Sequence, residues 1–168
     1  MQPDFYKLME LALEEARRGF LQGEVPVGAV VATAKGEVIA KAHNQPIFLN
    51  DPSGHAEILA MREAGLRRGN YRLTNALLVV TVEPCLMCMG AVINARIGKL
   101  VFGASDPKAG AAGSLYDFAS DPRLNHSLVV ESGIMGNECA ALIQEFFRDR
   151  REKKRSTAEK TGEVPKWS

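Results

Sequence analysis

Cys85 and Cys88, in the run Pro84-Cys85-Leu-Met-Cys88, stand three residues apart, a spacing that brings both sulfurs to one face of a helical turn and within reach of one metal ion. At the start of a helix, the macrodipole and the free N–H groups favour thiolates, the form that ligates. Taken alone, such a pair also serves redox chemistry or forms half of a closed structural zinc site. A closed site uses four protein ligands, and beyond this pair the chain offers Cys139, on an apolar helical face, and the histidines His43, His55 and His126. With His55 as the nitrogen ligand, three protein ligands leave a fourth position open, the arrangement that brings the pKa of a bound water from 15.7 to about 7. Glu57 follows His55 by two residues. It shares the same helical turn but points off the ligand direction, a place from which a carboxylate can accept the proton of that water. A carboxylate near a helix start is also favoured by the dipole alone.

The elements that must position these residues alternate between the two hydrophobic periods. Phe5, Leu8, Met9, Ala12, Leu13 and Ala16 recur at helical spacing. Val27 to Ala34 is a continuous apolar run, and after a Lys35-Gly36 turn Val38 to Ala42 completes a hairpin with a buried first strand. Pro46 to Gly54 is rich in turn formers, and His55 to Arg67 reads as a helix with His55 and Glu57 in its first turn. Ala76 to Val82 is a strand that feeds a helix from Cys85 to Ala95; Lys99 to Phe102 and Leu128 to Glu131 are further strands. Cys139, Leu142, Ile143, Phe146 and Phe147 mark the apolar face of a last helix. Helices between the later strands imply crossover connections and a sheet covered on both faces, an α/β fold of three layers. Without repeats or a second core, residues 1–156 read as a single domain and 157–168 as a flexible tail. The aperiodic stretch from Gly103 to His126 has the length of a functional loop.

Composition narrows the class. The 168 residues are 46% hydrophobic and 24% charged, the balance of a soluble globular domain. There is no apolar stretch of membrane-span length and no secretory leader pattern, which points to the cytoplasm. The net charge of +1 excludes a globally basic surface, but Arg148 to Arg155 (RDRREKKR) concentrates positive charge near the end.

His55-Ala56-Glu57 followed by Pro84-Cys85-x-x-Cys88 is the two-part signature of the zinc nucleobase deaminases. Over nearly its whole length the chain resembles the bacterial tRNA adenosine deaminases of the zinc-dependent cytidine and deoxycytidylate deaminase superfamily. The likeness is carried by Glu24-Val25-Pro26-Val27-Gly28-Ala29, Asn44, Thr81-Val82-Glu83-Pro84-Cys85, Phe102-Gly103-Ala104, Gly110-Ala-Ala-Gly-Ser-Leu115 and Asn125-His126. The resemblance implies a three-layer α/β/α sandwich with a mixed five-stranded sheet. It implies one zinc per subunit on His55, Cys85 and Cys88, with Glu57 carrying protons while an adenine flipped out of an anticodon loop becomes inosine at the wobble position. By the same resemblance, backbone groups of Ala56 and Pro84 orient the base, Asn44 bonds the nucleoside, and Val25 lines the pocket. Asp106 lies near the ribose and a neighbouring nucleotide, and Phe147 and Arg148 touch the anticodon loop. The family's homodimers, in which both subunits hold the RNA, imply a homodimer here.

Each of these residues has a plainer reading. Asn44 and Asp106 suit turns, Asp106 standing before Pro107; Val25 and Phe147 suit a core edge, and Arg148 a solvated face. His43 and His126 read as structural. Two other functions share the zinc residues. A sibling deaminase of free guanine, cytosine or a nucleoside would keep all four, and a structural zinc module binding RNA would need the ligands without Glu57. The basic run favours RNA, since phosphate binding needs accessible Lys and Arg. An open single-stranded loop also lets a base be splayed out at low cost.

Overall fold

The computed structural model describes residues 3–161, with side chains described to residue 157. Its elements in chain order are α1 (Phe5–Leu21), β1 (Gly28–Ala32), β2 (Val38–His43), α2 (Pro46–Leu49), α3 (Ala56–Arg68), β3 (Leu77–Val82), α4 (Leu86–Asn94), β4 (Lys99–Ala104), β5 (Val129–Ser132) and α5 (Gly136–Thr161). The strands form one mixed sheet in the order β2-β1-β3-β4-β5. β1 is antiparallel to β2 and β3, whereas β3, β4 and β5 run parallel. This is the mixed five-stranded sheet that the motif pattern implied.

Side chains alternate across the sheet with the period of a strand, and the two faces take different helices. Val30, Ala32, Leu77, Val79 and Val101 pack with Leu8, Met9, Ala12 and Leu13 of α1 and Cys139 of α5. Ala29, Val31, Leu78, Val80, Leu100 and Phe102 pack with Ala60, Met61 and Ala64 of α3 and Cys88, Met89 and Val92 of α4. Because β1 and β3 are covered on both sides, their sequences are continuous apolar runs and not alternating ones. α1 lies close against β1: a Cβ on Gly28 would collide with the backbone of Ala12 and Ala16.

The parallel strands β3 and β4 require a crossover, and α4 supplies it. His55 and Pro84-Cys85 therefore sit at the starts of α3 and α4 on the same side of the sheet, with Pro84-Cys85 at the C-terminal end of β3, where open α/β sheets place their ligands.

Two local details differ from the sequence reading. The turn-rich segment from Pro46 contains a one-turn helix, α2, because Pro46 presets its first residue and a carboxylate distant in sequence, that of Glu24, accepts the N–H groups of Ile47 (3.4 Å) and Phe48 (2.8 Å). The last helix runs through Thr161, so residues 157–161 of the expected tail continue α5, and 162–168 lie outside the described residues.

Candidate active site

Two helix starts converge on one point. His55 is the N-cap residue of α3 and Cys85 that of α4, with Cys88 in the first turn of α4; neither N-cap side chain spends its polar atoms on capping. His55 Nδ1 lies 3.7 Å from Cys85 Sγ and 3.6 Å from Cys88 Sγ, and the three donor atoms all fall within 4.8 Å of one another. Tetrahedral bonds of roughly 2.3 Å to sulfur and 2.0–2.1 Å to nitrogen place S and N about 3.6 Å apart. Both nitrogen–sulfur separations thus match the edges of a tetrahedron around a single ion.

Their electrostatics make the same demand. The Cys85 thiol is held down to about 3, first by the hydrogen bond from Cys88 and then by that with His55, against the effect of burial. The Cys88 thiol is pushed up by that shared hydrogen bond, by burial and by the charge of Glu57. His55 is raised by its hydrogen bond to Cys85 and by the charges of Glu57 and Cys85, against burial. A divalent cation among these groups would reverse the direction at Cys88, since a coordinated thiol is deprotonated outright. The donor set of two sulfurs and one imidazole fits zinc.

Glu57, 3% exposed, is buried in the first turn of α3. Burial pushes its carboxyl up to about 7, and the Cys88 thiol is among its hydrogen-bond partners. It is thus an acid beside the donor triangle that makes no ion pair with a Lys or Arg among the described residues.

Around this cluster the backbone is tied down. Asn44 is buried and its Oδ1 accepts the N–H of Ala56 at 2.8 Å. The carbonyl of Pro84 accepts from Ala111 at 2.8 Å, and Cys85 bridges Gly110 across the start of the long loop. Glu83, which sequence reasoning named only within the resembling run and gave no role, holds that loop. Its buried carboxylate accepts the N–H groups of Asp106 (3.0 Å), Ala112 (3.1 Å) and Ser114 (2.9 Å) and the Ser114 hydroxyl. Burial alone would raise this acid; the Ser114 hydroxyl and the backbone donors overcome it and leave the carboxyl below its ordinary value. The one signal was a charged residue closing an apolar strand directly before Pro84.

The structure therefore gathers His55, Glu57, Cys85, Cys88, Asn44, Ala56, Pro84 and Asp106 into one connected neighbourhood. Asp106 also behaves as its turn reading required, its Oδ1 accepting the N–H groups of Lys108 and Ala109. Val25 is half-buried beside Glu24. Phe147 and Arg148 are exposed on α5, which covers the other face of the sheet from α3 and α4; their neighbour Phe146 packs edge-on against Phe20 near the end of α1. His43 and His126 are structural: His43 bridges Glu15 (3.0 Å) and Gln22 (3.1 Å), and His126 bonds the Ile97 carbonyl (2.7 Å).

Residues 4–104, which include all four of His55, Glu57, Cys85 and Cys88, match the family model of the cytidine and deoxycytidylate deaminase zinc-binding region. The chain is 46% identical over 149 residues to the tRNA-specific adenosine deaminase of Haemophilus influenzae, covering 89% of this chain and 86% of that protein. To the tRNA-specific adenosine deaminase of Bacillus subtilis it is 43% identical over 155 residues, covering 92% and 96%. A solved structure from work on A-to-I editing by tRNA:A34 deaminases at the wobble position of transfer RNA superposes with a TM-score of 0.78 at 46% identity, covering 81% of this chain and 98% of that one. The guanine deaminase from Nitrosomonas europaea superposes with a TM-score of 0.75 at 23% identity, over 87% and 86% of the two chains, which shows a shared fold alone.

Proposed function

The chain belongs to the tRNA-specific adenosine deaminases of the cytidine and deoxycytidylate deaminase family, and from that premise we propose that it converts adenosine to inosine at the wobble position of a tRNA anticodon loop, releasing ammonia. The observation that carries the reading is the His55–Cys85–Cys88 donor triangle with the buried Glu57 carboxylate beside it. His55, Cys85 and Cys88 would hold one zinc per subunit, and the bound ion would supply the Lewis acidity that makes water a nucleophile at neutral pH.

The protein's own groups do the rest. Glu57 accepts a proton from the attacking water and passes it to N1 of the adenine as the C6–O bond forms. It then carries the remaining hydroxyl proton to the exocyclic nitrogen, the C6–N bond breaks, and ammonia leaves. Inosine keeps the proton on N1, so water and adenosine are fully accounted for. Asn44 orients the nucleoside: its oxygen is taken up by Ala56, while its amide nitrogen makes no hydrogen bond among the described residues. The Pro84 carbonyl, with one lone pair engaged by Ala111, keeps a second to accept from the base. Val25 and Asp106 border the nucleoside and its neighbour, and Phe147 and Arg148 meet the RNA beyond them.

A homodimer is part of the proposal. Leu86, Met87, Gly90 and Ile93 lie along the outer face of α4, with Leu86, Met87 and Gly90 exposed, and a groove of about 500 Å³ separates this face from Phe118 and Leu124. A Cβ on Gly90 would meet open space, so nothing within the subunit requires the glycine, which weakens a helix by roughly 0.5–1 kcal/mol relative to alanine. A second copy lying close on this face would give it a reason. Among the described residues no helix is long and apolar enough to cross a membrane. A cytoplasmic location is part of the same proposal and is supported by the tRNA substrate of the relatives.

Glu57→Gln separates this reading from a zinc module that only binds RNA. The variant is expected to keep its zinc and lose roughly 100- to 10,000-fold in inosine formation on a stem-loop; full turnover would overturn the mechanism.

A further inference from the structure

We propose that Phe48 on α2 forms a stacking platform for an unpaired RNA base adjacent to the target adenine. The inference rests on the RNA-deaminase reading and adds an element of substrate specificity to it.

α2 has no charged residue, and its apolar side chains face water: Ile47 is 62% exposed, Phe48 74% and Leu49 43%. None is buried in a core, so folding does not explain three large hydrophobic residues in succession. The turn is nevertheless held firmly. Glu24, itself buried, fixes the N–H groups of Ile47 and Phe48. The Gln45 N–H donates to the Gly54 carbonyl at 2.8 Å and closes the segment on itself, and the Asp51 carboxylate accepts from the Ser53 N–H (2.8 Å) and hydroxyl (2.7 Å). Phe48 is therefore presented by a stiff turn whose backbone gives up little freedom on contact.

Position identifies the occupant. The closed segment 45–54 runs from Asn44, whose Oδ1 holds Ala56, to His55 of the donor triangle, so both ends of the segment that carries the platform are fixed at the rim of the site. An adenine extruded from a loop brings its neighbours to that rim. Phosphates seek Lys, Arg or free N–H groups, which α2 does not offer; the apolar surface of single-stranded RNA is the face of its bases, which stacks on aromatic side chains.

The test uses the zinc-loaded full chain and an anticodon stem-loop in which 2-aminopurine, whose fluorescence reports stacking, replaces each neighbour of the target in turn. Wild-type protein is expected to change the fluorescence at one of the two positions. Phe48→Ala should abolish that change, weaken binding and raise KM about 5- to 100-fold, and leave kcat within a few-fold and the oligomeric state unaltered; Phe48→Trp should restore both. Unchanged fluorescence and affinity in Phe48→Ala at both positions would overturn the platform. So would a Phe48→Ala protein that loses self-association, because the side chain would then face a second copy. Absence of inosine with the wild-type protein would contradict the deaminase reading alone, since the Phe48-dependent fluorescence is read without turnover.

Discussion

The side-chain carbonyl of Asn44 accepts the backbone N–H of Ala56 at 2.8 Å, fastening the residue after β2 to the one residue between His55 and Glu57. A side chain expected to touch substrate also sets the start of the helix that carries Glu57, the proposed proton shuttle. Asn44→Ala removes both roles and strands a buried N–H, which costs about 1–3 kcal/mol. Thermal unfolding should fall accordingly and kcat/KM on a stem-loop should fall with it. Asn44→Asp, which keeps an acceptor for Ala56 and loses the amide donor, should recover most of the stability but not the turnover. Equal recovery of both would mean that Asn44 acts only as a structural tie.

Cys88 is buried at the inner corner of the donor triangle. Cys88→Ser is expected to lower zinc content, measured by atomic emission, together with the unfolding temperature, because ion binding to the folded state alone adds its binding free energy to stability. A chelator should move the wild type in the same direction and leave the variant nearly unaffected. A Cys88→Ser protein that retains a full equivalent of zinc would remove Cys88 from the ligand set.

A Cβ on Gly110 would lie 2.5 Å from the carbonyl oxygen of Asp106 and overlap the Glu83 carboxylate. Gly110→Ala should therefore push the loop off its anchor, at about 1–3 kcal/mol of overpacking. Glu83→Gln reaches the same loop differently, placing an NH2 group where backbone N–H groups point. Both variants are expected to raise susceptibility to proteolysis between Ser105 and Asp117 and to reduce kcat/KM, with zinc retained. Loss of zinc in Glu83→Gln would shift its role from the loop to the ligands that follow it.

Gly90→Arg places a charged side chain on the outer face of α4 without entering the core. Sedimentation should show the wild type as a dimer and the variant as a monomer of nearly unchanged unfolding temperature. A variant that remains dimeric would move the interface elsewhere.

How much of this was legible in the chain depended on whether local pattern or distant partner decides the geometry. β1 and β3 are apolar throughout because both faces are covered, and α1 buries Leu8, Met9, Ala12, Leu13 and Ala16 at helical spacing, so pattern alone located them. The donor triangle was legible because short-range spacing puts Cys85 and Cys88 in one turn, while the pairing with His55 came from the motif. α2 was not legible, because its cap is Glu24, supplied across the fold and not by its own first turn. The role of Glu83 was missed for the same reason: four donors from the long loop converge on its carboxylate, and none is visible in its neighbours. For Phe147 and Arg148 spacing gave a helical face and a basic run, and a role toward the anticodon loop entered only through family resemblance. They lie on the far face of the sheet from α3 and α4, a relation that sequence spacing does not carry.

The most direct test of the deaminase assignment is inosine formation by the zinc-loaded protein on an adenosine-bearing tRNA anticodon stem-loop, followed by mass spectrometry beside free adenosine, cytidine and guanine. One inosine per stem-loop, with one ammonia released and the free compounds untouched, is the expected result. Turnover of a free base or nucleoside with the stem-loop unaltered would contradict it, leaving the zinc chemistry in place and the RNA substrate refuted.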